Sequence, residues 1–189
     1  MKKNKLQFNA KLIAKMGIFT ALSFVLTFLE FPVFPGSPAS FLKLDFSNVF
    51  VLIGGFSLGV VPGVIILTVK EALCLLKSTT LVGQLANLLI GLCYIIVPLV
   101  LYKVKRTFLT AVIGMIIGVF LQSGMSLWVN YYVNYPLFLG GAPFVLSESS
   151  VEFFKNTWWF ILIFNVIKAI STALITLLLY KRVKRLISF

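Results

Sequence analysis

An all-α integral membrane protein of six helices is the fold this sequence predicts, and three observations predict it. The chain has 189 residues, of which 60% are hydrophobic and only 12% charged. One soluble core of that length does not hide so much apolar surface. Several runs approach or exceed the ~18–20 apolar residues that span a bilayer. The net charge of +12 is gathered into clusters. Lys2, Lys3, Lys5, Lys11 and Lys15 open the chain, Lys103, Lys105 and Arg106 separate two apolar runs, and Lys181, Arg182, Lys184 and Arg185 close it. Basic clusters beside apolar runs mark cytoplasmic ends. They lack the interleaved aromatics of a nucleic-acid surface, so no nucleic-acid partner is expected.

Residues 12–31 form the first expected span. This run is too long for the apolar part of a signal peptide, and no small-residue cleavage site follows it. With the N-terminus cytoplasmic, the first span ends outside, near Pro32. The span 81–102 leads to the basic cluster at Lys103 and must run inward. The stretch between therefore starts and ends outside, and crosses twice. Gly54 and Gly55 weaken a helix there, and Gly59, Pro62 and Gly63 break or re-aim it. Two helices are expected, a short one at 47–56 and a longer one at 60–76. Spans 107–129 and 157–180 complete a single six-helix domain over 1–189, with both termini on the cytoplasmic side of a cell membrane.

Two outer loops are expected, 31–45 and 130–156. Both are greasy for segments facing water: Phe41, Leu42 and Leu44 lie in the first, and many aromatics in the second. Such loops fold over a membrane face or a pocket. Asp45 or Ser47 is placed to cap the short second helix. Lys43 is either a solvated rim charge or a ligand contact through its backbone.

Polar groups in hydrocarbon need partners. Gln122, Ser126 and Asn130 recur every fourth residue and share one face of the fifth helix, which Asn134 extends if the helix continues. Asn165, Lys168 and Thr172 share a face of the sixth, and Gln84, Asn87, Gly91 and Tyr94 one of the fourth; the third carries Lys70 and Glu71. Gln84, Ser126 and Thr172 are expected to make interhelical hydrogen bonds. Lys168 with Asn165 is the sharper candidate for a ligand contact. Two amides and a cation suit a neutral heterocycle with alternating carbonyl and N–H groups, and suit a metal poorly. Trp128, Tyr131, Tyr132, Tyr135, Trp158 and Trp159 form either an interfacial belt or stacking surfaces for a flat ligand. Ala10, Ala14, Gly17 and Ala21 make a small-residue stripe on the first helix, for internal packing or for docking a second membrane protein.

The chemistry that is missing narrows the function. The chain contains no histidine, which removes triads and imidazole metal sites. Cys74 and Cys93 lie in apolar runs and read as packing residues. No phosphate-loop motif is present, so ATP hydrolysis by that route is excluded. No enzymatic activity, metal or cofactor is expected.

"FLKLDFSNVFVLIGGFSLGVVPGVII" (Phe41–Ile66) resembles the second-helix region of the riboflavin-specific S components of energy-coupling-factor (ECF) vitamin transporters. "VGQLANLLIG" (Val82–Gly91) resembles that family's fourth helix. The resemblance covers most of the chain, although "VVPG" and "KEALCLL" depart from the family's pattern. It implies a membrane subunit that binds one vitamin from outside and docks on a transmembrane coupling subunit driven by two ATPases. It also implies site residues. Asn130 or Asn134, Asn165 and Lys168 would meet riboflavin, Phe41, Leu42 and Leu44 would close over it, and Ala10, Ala14, Gly17 and Ala21 would dock the partner; Asn87 and Lys43 are further candidate substrate contacts. The transported vitamin would be a ligand rather than a cofactor. Another vitamin of the biotin or folate class is the alternative, because a carboxylate would suit Lys168; a non-transport membrane scaffold is the other.

Overall fold

Glycine and proline mark the first loop and the break between the second and third helices. The computed structural model describes residues 9–77 and 81–187, with side chains through Tyr180. Lys2, Lys3 and Lys5, and the side chains of Lys181, Arg182, Lys184 and Arg185, lie outside the described residues. Helix α1 (Ala10–Leu26) starts at Asn9, whose side chain accepts the Leu12 N–H at 2.9 Å. A loop follows that contains a two-residue antiparallel pair, β1 (Phe31–Pro32) and β2 (Lys43–Leu44). Then come α2 (Ser47–Leu58) and α3 (Val60–Cys74). The break between them sits at Gly59, with φ 113°, a backbone conformation that side chains disfavour. Gly54 and Gly55, expected to weaken the helix, lie inside it and admit the side chains of Ile66 and Leu99.

Helix α4 (Leu81–Val104) contains Pro98, and α5 (Phe108–Val129) packs directly on that turn. Gly114 makes the close approach possible: a Cβ there would lie 2.5 Å from Pro98 Cα. Past α5 the helix continues through a π-helical turn, Asn130–Asn134, into α6 (Tyr135–Phe138). The last helix, α7 (Glu148–Ile187), is 40 residues long. Much of the expected second outer loop is thus helical, and only 139–147 is not. Aromatic packing holds the two extensions together. Tyr131 and Phe154 rings lie 4.9 Å apart, Tyr135 and Phe153 5.0 Å, and Tyr135 and Thr157 hydroxyls bond at 2.9 Å.

These elements make six helical columns, and α2 is the central one. It touches α1, α3, α4 and α7, and Ser47–Phe56 is buried apart from partly exposed Phe50. Leu52, Ile53, Ile66, Leu67, Ile95, Leu99 and Met115 form the core around it. Tyr94 donates to the Ala169 carbonyl at 2.9 Å and ties α4 to α7. At one end Phe56, Tyr102 and Tyr180 pack edge to face. Large apolar side chains also cover the outside, among them Ile116, Phe120, Leu174 and Leu178. Among the described residues three helices are long and apolar enough to cross a bilayer, at Leu81–Val104, Phe108–Phe138 and Glu148–Tyr180. Helix α2 is apolar but short.

Candidate functional site: a roofed polar cavity

At the end of the bundle where α2 begins, the helices line a cavity of about 480 Å³. That volume suits a small organic molecule. The loop before α2 roofs it with Phe41, Leu42 and Lys43. Rings pin this roof to α7 and α6: Phe34 lies 5.0 Å from Phe160, and Phe41 lies 6.4 Å from both Phe153 and Tyr135. Glu30 pins its edge, pairing with Lys43 at 3.1 Å and Lys77 at 3.0 Å. Burial alone would raise the Glu30 carboxyl, but the bonds from Lys77 and Lys43 outweigh it and hold it below its ordinary range.

One wall is charged and internally paired. Lys168 Nζ meets Asp45 Oδ2 at 2.8 Å, and Asp45 Oδ1 accepts the Ser47 N–H at 2.9 Å. Phe46, not Asp45 or Ser47, is the N-cap of α2 and has no side-chain cap bond; Asp45, one residue earlier, accepts the first-turn Ser47 N–H and also neutralises the lysine on α7. Burial raises the Asp45 carboxyl, yet Lys168, Lys70 and the Ser47 bond more than offset this and hold it well below the usual carboxylate range. Next to them Lys70 Nζ donates to Ser47 Oγ at 3.2 Å, Asn48 Oδ1 at 3.3 Å and Glu71 Oε1 at 2.5 Å.

Amides make up much of the remaining lining. Gln84 and Asn87 on α4, Gln122, Asn130 and Asn134 on the α5 column, and Asn165 on α7 all line the cavity. Gln122 Nε2 bonds Asn165 Oδ1 at 3.2 Å, and Asn134 Nδ2 bonds Asn130 Oδ1 at 2.8 Å. The π-helical turn sits where these amides face the space, a placement common at functional sites.

Of the residues the sequence singled out, Phe41, Leu42, Lys43, Asn87, Asn130, Asn134, Asn165 and Lys168 come together around this cavity. Leu44 is buried and lies behind the roof rather than on the lining. Asp45, Lys70, Glu71 and Gln122 are lining residues that were not among the candidates. The fourth-residue spacing already placed Gln122 on the right face. Ser126 bonds the Ser123 carbonyl within its own helix, and Thr172 Oγ1 has no partner among the described residues, so neither makes the expected interhelical bond. Trp128, Trp158 and Trp159 are exposed and do not line this cavity, where the rings are Phe41 and Phe164. Ala10, Ala14, Gly17 and Ala21 are all exposed, and nothing lies within 4 Å of a Cβ built at Gly17. Among the described residues the stripe is not used for packing within the chain. Among the described residues no cluster of three or more metal-ligating side chains occurs.

A helical membrane bundle enclosing a roofed, amide-lined cavity at one end defines a solute-binding membrane protein. The family model of the ECF transporter substrate-specific component matches residues 11–180, and the chain belongs to that family. It is 35% identical over 182 residues to "Riboflavin transporter RibU" of Staphylococcus aureus (strain TCH60), covering 96% of this chain and 94% of the relative. It is 27% identical to "Riboflavin transporter FmnP" of Bacillus subtilis (strain 168), covering 92% of each. Its structure superposes on a solved S component of a bacterial ECF transporter with a TM-score of 0.77 and 31% identity, over 95% of this chain and 98% of the other.

Proposed function

We propose that this chain is the riboflavin-binding membrane subunit of an ATP-driven ECF importer, taking the vitamin from outside into the roofed cavity. The observation that carries the reading is the cavity itself, in a chain similar along its whole length to riboflavin transporters. Phe41 and Leu42 would cover the flat ring, with Leu44 supporting the roof from behind. Asn87, Asn130, Asn134 and Asn165 would meet the polar atoms, and Lys168 would border them. Riboflavin is the cargo here, neither substrate of a reaction nor cofactor. Both termini would face the cytoplasm, in one domain over 1–189.

The partners would be a transmembrane coupling subunit and two ATPases. The outward stripe Ala10, Ala14, Gly17 and Ala21 is the docking face this reading requires, because small residues let a second helix come close. A vitamin carboxylate is a poorer fit, since the Lys168 charge it would need is already taken by Asp45. Riboflavin uptake into proteoliposomes tests the reading. Accumulation is expected only when the coupling subunit, both ATPases and ATP are present. Undiminished accumulation by this chain alone would overturn it.

A further inference from the structure

Two apolar loops meet at the cavity end of the bundle, and they are used differently. The loop before α2 roofs the cavity, whereas no residue of 139–147 lines it. The second loop is still apolar and turned outward. Phe144 and Val145 are each 61% exposed and Leu146 is 39% exposed, and no charged residue occurs between Arg106 and Glu148. Its backbone is well tied. The Gly141 N–H donates to the Pro136 carbonyl at 2.8 Å, the Phe144 N–H to the Tyr132 carbonyl at 2.7 Å and the Val145 N–H to the Ala142 carbonyl at 3.1 Å. Phe144 has φ 64°, a left-handed conformation that a side chain disfavours, so the loop holds this ring outward against a local backbone preference.

The bond to Tyr132 makes the loop double back beside the α5 column, below the column's end at Phe138. The Phe144 ring lies 5.8 Å from that of Trp128 and 6.1 Å from that of Tyr132. These contacts set its depth. Helix α5 opens at Phe108, just after Lys105 and Arg106, whose charges mark one membrane boundary. Trp128 is twenty residues further on, roughly 30 Å along an α-helix, which matches the thickness of the hydrocarbon layer. Phe144 therefore stands at the opposite boundary, level with a Trp and a Tyr, the side chains that favour that depth. Exposed Leu121 lies two turns before Trp128 on the same face, so the patch continues the apolar surface that α5 turns outward. We infer that segment 144–146 is a lipid anchor: Phe144, Val145 and Leu146 enter the boundary between headgroups and acyl chains of the cavity-side leaflet, with Trp128 and Tyr132 beside them. Three side chains fall far short of the about 20–30 residues a side that a stable protein interface uses, which favours lipid as the occupant.

Spin labels on the full chain in bilayers of phosphatidylcholine and phosphatidylglycerol test this. Val145→Cys and Leu146→Cys are the reporters. Phe120→Cys, on the exposed middle of α5, is the lipid reference, and Ser149→Cys, on the exposed first turn of α7, is the water reference. The unaltered chain, carried through the same labelling, gives the background from Cys74 and Cys93. Collisions with oxygen report lipid, and collisions with an uncharged nickel chelate report water. The labels at 145 and 146 are expected to shift from nickel toward oxygen, close to the label at 120 and well apart from that at 149. Nickel preference at both positions, equal to that at 149, would overturn the anchor. Dipolar broadening between labels on two copies would also overturn it, because a second copy of the chain would then cover the patch. Neither outcome depends on riboflavin binding.

Discussion

Lys168 on α7 and Asp45 at the mouth of α2 are 123 positions apart in sequence, and their charged atoms lie 2.8 Å apart at the edge of the cavity. The pair joins the roof loop to the last helix. Both side chains are largely buried, at 10% and 13% exposure. Breaking such a pair from one side strands a charge, which costs about 3–5 kcal/mol. Lys168→Met and Asp45→Asn are each expected to lower the melting temperature of the purified protein clearly, and the double variant to recover part of the loss. Lys43→Ala, which removes a half-exposed partner of Glu30, is expected to cost only about 0–1 kcal/mol. Thermal unfolding of the unaltered protein and the four variants in one detergent checks both statements.

The same pair sets an acid limit. The Asp45 carboxyl is held below its ordinary value in the folded protein, so its contribution is fully present above its unfolded pKa of about 3.9 and is lost as the pH falls further. The chain has no histidine to add a transition nearer neutrality. The melting temperature is expected to hold from neutrality to about pH 5, then fall below about pH 4. Asp45→Asn should weaken that acid dependence. A drop centred near pH 6 would contradict this.

Gly114 and Gly17 separate packing from docking. A Cβ at Gly114 would run into the Pro98 backbone, whereas one at Gly17 meets nothing. Gly114→Ala is expected to destabilise the bundle by about 1–3 kcal/mol, because neither helix can yield without separating. Gly17→Leu is expected to leave stability and riboflavin binding unchanged and to impair ATP-driven uptake with the coupling subunit. Melting curves and uptake rates on both variants check the contrast.

The legible features were local ones. Gly59 and Pro62 mark the division of the apolar stretch into two helices because backbone freedom and a missing N–H act at the residue itself. The spacing of Gln122, Asn130 and Asn134 shows one face because helical geometry repeats. What stayed hidden was pairing across the bundle. Nothing in the composition around Asp45 reveals that its partner is Lys168, and nothing around Asn130 shows which end of its amide is spent on Ser126. The start of α7 at Glu148 was hidden for the same reason. Its polar first turns look like loop until Phe153 and Phe154 are seen against Tyr135 and Tyr131.

Titration of the purified protein into riboflavin, followed by flavin fluorescence, asks most directly whether the roofed cavity holds this vitamin. Lys168→Ala and Asn165→Ala are measured beside the unaltered chain. Saturable quenching that weakens in both variants is the predicted result. Quenching that neither substitution changes would place the vitamin elsewhere, and no quenching, with no heat of binding, would remove riboflavin as the ligand.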